Sequence, residues 1–192
     1  MSKQLRPIVT MLLLMTLITG VIYPLVVTGA AQLLFPAKAN GSLVEHDGHA
    51  VGSSLIGQSF TDPKYFWGRP SATTPMANNG NASTGSNQGP TNSALTDAVK
   101  QRMDALHAAD PGNNALIPSD LVTASGSGLD PEITPAAAQY QVARVARLRG
   151  LSEDQVRSLV ASASSGRQLG VLGEPRVNVL QLNLALDDLQ KR

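Results

Sequence analysis

The 192-residue sequence contains no cysteine, which excludes disulfides, thiolate nucleophiles and cysteine-ligated zinc together. Aromatics are scarce as well: three Phe, three Tyr and one Trp, so a stretch that gathers several has concentrated a rare residue type. Charge is sparse and balanced, with 15 Lys plus Arg against 14 Asp plus Glu and a net charge of +1. No single-signed field exists to attract nucleic acid, and a nucleic-acid partner is set aside. There is no nucleophile elbow, no zinc-protease helix and no glycine-rich phosphate loop ending in Lys-Ser/Thr. The carboxylates are scattered, so no acid/base pair and no catalytic residue is assigned. His46 and His49 in "HDGH" have no further ligands nearby; a solvated turn explains them and no metal is assigned.

What the sequence does have is one long apolar run. From Pro7 to Ala37 the only ionisable side chain is Tyr23, and "IVTMLLLMTLITGVIYPLVV" is long enough to cross a hydrocarbon core that needs about 20 helical residues. A cleavable signal peptide has an apolar region of only about 7–15 residues. The run is longer than that, so residues 7–35 are read as a retained transmembrane signal anchor, although "VVTGAAQ" around Ala30 and Ala31 resembles a cleavage site. Lys3 and Arg6 precede the span, which places the tail, residues 1–6, in the cytoplasm and everything after Lys38 outside. Pro24 removes a backbone donor and presses on the carbonyl of Gly20, so a bend is expected there. Thr16, Gly20, Pro24 and Thr28 follow at four-residue spacing as a stripe of small or notched positions, with Tyr23 beside them. Such a stripe lets a second helix approach closely; the plainer reading is that Thr, Gly and Pro are simply common in membrane helices.

The remainder, 36–192, reads as one extracytoplasmic α+β domain. "NGSLVEHDGHAVGSSLIGQSF" alternates about Asp47-Gly48 as a β-hairpin would. Residues 71–92 are dense in Asn, Gly, Ser, Thr and Pro and form a long polar loop. Leu95, Val99, Met103 and Leu106 mark one face of a helix from Ser93 to Ala109, which Asp110-Pro111-Gly112 stops. A short strand is expected near Leu121 and Val122. Thr134-Pro135 opens a helix that Gly150 closes, and Ser152 with Gln155 forms a capping box before a third helix. Val177 and Val179 alternate as a strand; Leu182, Leu186 and Leu189 continue as a terminal helix.

Three of the seven aromatics stand together in "YFWGRPSAT". Tyr65, Phe66, Trp67 and Arg69 are candidate partner contacts, since aromatics and arginine anchor protein interfaces. The competing reading puts Phe66 and Trp67 in the core with Arg69 covering them.

Taken in order, "LRP" at Leu5–Pro7, "TGVIYPL", "ANGSL", "GSSLIGQSF", "YFWGRPSAT", "GSN" at Gly85–Asn87, "LVTASGSGLDPEITPAAAQYQVARVA" and "VNVLQLNLALD" resemble the C subunit of the bacterial Kdp-type potassium-transporting ATPase over nearly the whole chain. Thr84 stands where that family's serine-glycine-glycine-serine-asparagine stretch has glycine. The resemblance implies a single-span accessory subunit working with a channel-like potassium-translocating subunit, a P-type ATPase subunit and a small single-span subunit. The Asp-Lys-Thr-Gly phosphorylation motif is absent here, so hydrolysis belongs to a partner, and ATP and potassium are handled by the complex. The family is also described as a catalytic chaperone that raises the pump subunit's affinity for ATP through nucleotide contacts. An outward domain conflicts with contact to cytoplasmic ATP. The expectation is therefore that the anchor packs on the channel-like subunit while the outer domain caps its potassium entrance and stabilises assembly. Two alternatives stand: the catalytic chaperone, and a secreted protein released after Ala30 or Ala31 that holds a small ligand in loop 71–92.

Overall fold

The computed structural model describes residues 2–191. Met1 and Arg192, the outer ends of the expected tail and head, lie outside the described residues, as do the side chains of Ser2 and Lys3. The chain divides into two units, Met1–Leu43 and Val44–Arg192.

The first unit is helical almost throughout. Helix α1 (Ser2–Leu17) passes into a π-type turn over Ile18–Ile22 and then into α2 (Tyr23–Leu34). Residues 2–6, expected as a tail, already belong to this rod, and the apolar stretch Gln4–Leu34 spans 31 residues, about 46 Å at 1.5 Å per residue. The wide turn answers Pro24. An α-helical turn would drive the proline ring against the Gly20 carbonyl; widening it moves the Tyr23 N–H on to the Ile18 carbonyl, five residues back. Thr19 Oγ1 donates to the Met15 carbonyl at 2.7 Å in the same region. Phe35 then leaves helical geometry, and Pro36 starts the single turn α3 (Pro36–Ala39).

The second unit opens with the expected hairpin, β1 (Leu43–His46) and β2 (His49–Ser53). Asp47 and Gly48 both take positive φ, 51° and 77°, as a two-residue type I′ turn requires. After the polar loop come α4 (Ser93–Ala109), β3 (Glu132–Ile133), α5 (Pro135–Arg149), α6 (Glu153–Ala163), β4 (Ser164–Ser165), β5 (Arg176–Asn178) and α7 (Val179–Gln190). Strand β5 is central in an antiparallel sheet ordered β3-β5-β4, with Ile133 and Ser164 both opposite Val177. The mixed α+β class holds. The caps also fall where the sequence placed them: Thr134 accepts from Ala137 N, Gly150 takes φ 66°, and Ser152 with Gln155 completes the capping box.

Three local expectations change. The strand near Leu121 is a 3-10 turn, Ser119–Leu121, because Pro118 fixes the entry and the Val122 and Thr123 N–H groups fold back to the Ser119 carbonyl. Val179 belongs to α7, capped by Asn178, and not to the strand. On α4 the inward face is rotated: Leu106 is buried, Leu95, Val99, Arg102 and Ala109 are half-buried, and Met103 is exposed. Arginine occupies the place the apolar pattern gave to methionine.

The core gathers Phe66, Trp67, Leu121, Val142, Val145, Val156, Val177, Leu182 and Leu186 with their neighbours. An aromatic pair contributed by irregular chain thus sits among helices α5, α6 and α7.

Candidate functional site

Because residues 62–71 are neither helix nor strand, their backbone groups have no ladder to satisfy them, yet burial makes an unpaired group costly. Two side-chain amides solve this. Asn183 of α7 accepts from Phe66 N at 2.9 Å and donates to Phe66 O at 3.0 Å. Gln141 of α5 does the same for the next residue, accepting from Trp67 N at 2.8 Å and donating to Trp67 O at 3.1 Å. Both amides are 1% exposed. Each imitates a paired strand for one residue, and together they fix the strap against both helices.

Guanidinium groups complete the clamp. Arg144, 2% exposed, donates to the carbonyls of Pro63 and Tyr65 and to Gln141 Oε1, and its plane lies 4.9 Å from the Trp67 ring centre. Arg102 lies 5.1 Å from the same ring while donating to the carbonyls of Leu121 and Gly68. Burial pushes the Arg144 group down to about 10, and lowers Arg102 as well. Arg149 covers Tyr65 at 4.5 Å and pairs with Asp187 at 2.6 Å, while the Tyr65 hydroxyl donates to Asp187 at 3.1 Å.

Phe66 and Trp67 are therefore core residues, 0% and 5% exposed, and this burial corrects their assignment as partner contacts. Tyr65 and Arg69 are half-buried. Arg69 does not cover the aromatics: it pairs with Asp130 at 3.2 Å and donates to the Ala124 carbonyl. Gln141, Arg144 and Asn183 were missed by reading apolar periodicity alone. The available signal was a polar residue at a core position, since Gln141 lies midway between Ala137 and Val145, and Asn183 falls four residues after Val179 and three before Leu186.

Loop 71–92 is pinned to the segment 124–130. Ser71 Oγ donates to Gly128 O at 2.6 Å and Thr84 N donates to Ser127 O at 2.9 Å, while Gly57 N, ahead of the loop, donates to Leu129 O at 2.8 Å. Gly128 has φ 68°, and a Cβ there would stand 2.5 Å from Thr84 O. The glycines of "ASGSGLD" thus serve close backbone approach. A cleft of about 640 Å³ opens between this loop and α4, lined in part by Ser71, Gly85, Ser86 and Arg102. Arg102 is the charged residue of that lining, and its Nε and Nη2 already donate to the carbonyls of Leu121 and Gly68.

In the first unit, Thr16, Gly20, Tyr23, Pro24 and Thr28 are all exposed. Four α-helical residues overshoot a 3.6-residue turn. The wider turn at Ile18–Ile22 falls within this stripe and contains Gly20. Among the described residues no group of three or more His, Asp or Glu stands together to hold a metal.

Residues 5–188 match the family model described as K+-transporting ATPase, c chain (KdpC). The chain belongs to the KdpC family. It is 65% identical over 190 residues to the potassium-transporting ATPase KdpC subunit of Methylococcus capsulatus, covering 99% of this chain and 100% of that one. The KdpC subunit of Polaromonas naphthalenivorans is 66% identical over 190 residues, at 99% and 97% coverage. That of Dechloromonas aromatica is 62% identical over 191 residues, with both chains covered in full. The KdpC match takes in both units, from Leu5 in α1 to Asp188 in α7. The segments that carry the resemblance are also those that meet in the clamp: "YFWGRPSAT" supplies the strap, "AAAQYQVARVA" supplies Gln141 and Arg144, and "VNVLQLNLALD" supplies Asn183.

Proposed function

We propose that this chain is a non-catalytic accessory subunit of an ATP-driven potassium uptake complex. Its span is anchored in the bacterial cytoplasmic membrane, and its head stands on the outer side, capping the potassium entrance of the channel-like subunit and stabilising the assembly. The P-type ATPase subunit carries out hydrolysis, and a small single-span subunit completes the complex. The observation that carries this reading is the first unit: a helix of membrane length, Gln4–Leu34, with no part buried within the chain, preceded or opened by Lys3 and Arg6 and no acidic residue. Apolar side chains left exposed along its whole length need lipid and helix partners, and the basic end prefers the cytoplasm. The stripe Thr16, Gly20, Pro24, Thr28 offers a close-approach face for the channel-like subunit, whose side chains would cover the backbone loosened at the π-type turn.

A cap has to keep its shape without its partner. The double amide clamp and the arginine-covered Trp67 support this, because they order an otherwise irregular strap before any docking. Any effect of the head on ATP use then passes through subunit contacts as a population shift. Complexes assembled with the span alone, lacking residues 44–192, are expected to lose yield and to show altered potassium stimulation of ATPase activity. Potassium stimulation identical to that of the intact complex would sink the capping role.

A further inference from the structure

The segment between α6 and β5 carries a feature that neither the core nor the clamp uses. In "GRQLGVLG", residues 166–173, Leu169 is 90% exposed, Val171 72% and Leu172 55%. Other large apolar side chains exposed on the head, such as Leu55, Met76 and Leu116, stand singly along the sequence. The turn is also closed on itself. Gln168 and Leu172 exchange both backbone hydrogen bonds at 2.8 and 2.9 Å, Gly170 N donates to Arg167 O, and Val171 N donates to Gln168 O. Positive φ at Leu169, Gly170 and Gly173 sets this tight shape. No charge lies between Arg167 and Glu174, and those two neutralise each other at the base, where Arg167 Nη2 meets both carboxylate oxygens at 2.8 Å.

We propose that this turn inserts its three apolar side chains into the surface of the lipid bilayer. Internal satisfaction of backbone donors is what the edge of a hydrocarbon phase demands of an irregular segment, and a protein groove demands it less strictly. The neutral tip with a closed ion pair beneath it has the order expected of a segment that enters the acyl boundary and stops at the headgroups. A bilayer is within reach. Eight residues, 35–42, join the helical span to the head, and with Pro36–Ala39 in α3 they form a tether of at most about 20 Å, at roughly 1.5 Å per helical and 3.5 Å per extended residue. The contact would orient the head relative to the membrane. It rests on retention of the anchor and is independent of capping.

The chain has no cysteine, so Leu169→Cys carries a polarity-sensitive fluorophore at one site, with Leu116→Cys, at a side chain 95% exposed, as the comparison. Each full-length variant is reconstituted into vesicles of phosphatidylethanolamine and phosphatidylglycerol with a spin-labelled phospholipid as quencher. The expected result is a blue shift and loss of emission at position 169, neither of them at 116. Replacing Val171 and Leu172 by serine in the same labelled chain should weaken the quenching. Flotation with the vesicles reports the anchor separately. A chain that floats with an unquenched probe at 169 overturns insertion and leaves the anchor standing, and one that fails to float overturns both. Shielding of 169 that appears only when the other subunits are added, without lipid quenching, also overturns insertion, in favour of a protein contact.

Discussion

Replacing Gln141 by leucine isolates the polar half of the clamp. Leucine fills a similar volume, so little cavity cost enters. It removes both partners of Trp67, the acceptor for its N–H at 2.8 Å and the donor to its carbonyl at 3.1 Å, and leaves these two backbone groups unpaired in a dry site. A buried unsatisfied group costs about 1–3 kcal/mol, giving roughly 2–6 kcal/mol for the pair. Better burial of the apolar side chain offsets about 1–2 kcal/mol. Arg144 keeps the carbonyls of Pro63 and Tyr65, so its loss of Gln141 Oε1 adds little. A net loss of about 1–4 kcal/mol, with a urea slope near 2 kcal/mol per molar, lowers the midpoint by about 0.5–2 M. Trp67 is the only tryptophan and reports the clamp by its own emission. Urea titration of the full chain in mild detergent, followed at that fluorophore, therefore reads the site directly. Gln139→Leu, on the exposed face of the same helix, should leave the curve in place. A midpoint for Gln141→Leu within about 0.3 M of the parent, with unchanged emission, would refute the reasoning.

Gly128→Ala puts a Cβ 2.5 Å from Thr84 O and 2.7 Å from Thr73 Cγ2 at a φ of 68°, so loop 71–92 should detach and the head lose at least about 1–3 kcal/mol, read as faster limited proteolysis within that loop. Asp47 is held below the ordinary carboxylate value of 3.8, first by the hydrogen bond from Lys191 at 2.8 Å and then by the charge of His46. A depressed acid contributes stability that is present above pH 3.8 and disappears as pH falls through its folded-state value; Lys191→Ala should move the NMR titration midpoint of Asp47 back up towards 3.8. A Cβ added at Gly20 meets nothing closer than Thr16 Cγ2 at 4.0 Å, and the position is exposed, so the helix itself should accept Gly20→Leu. If the stripe packs on a partner, that variant should fail to co-purify with the other subunits from mild detergent; full recovery of the complex would remove the stripe from the packing argument.

The local signals of this fold are strong where a backbone conformation demands a particular residue. Asp47-Gly48 at the hairpin, Thr134 and Gly150 at the ends of α5 and the capping box at Ser152 could all be read from sequence because each answers a fixed geometric need. The clamp was not legible for the opposite reason. Gln141 contacts Trp67 across 74 positions and Asn183 contacts Phe66 across 117, and nothing in local periodicity encodes which distant segment a buried amide will serve. Arg102 shows the same limit: its position on the inward face of α4 makes sense only once the Trp67 ring lies beneath it. In the span, the proline was a reliable mark of disturbance, but whether the helix would bend or widen depended on how the Tyr23 N–H found its next acceptor.

The side of the membrane on which the head stands decides between a cap over the potassium entrance and a regulator beside cytoplasmic ATP. Leu116→Cys supplies one thiol on a side chain that is 95% exposed in a chain otherwise free of cysteine. Treating intact spheroplasts with a membrane-impermeant maleimide should label it fully, and lysis should add nothing. Labelling that appears only after the membrane is broken would put the head in the cytoplasm and contradict the cap.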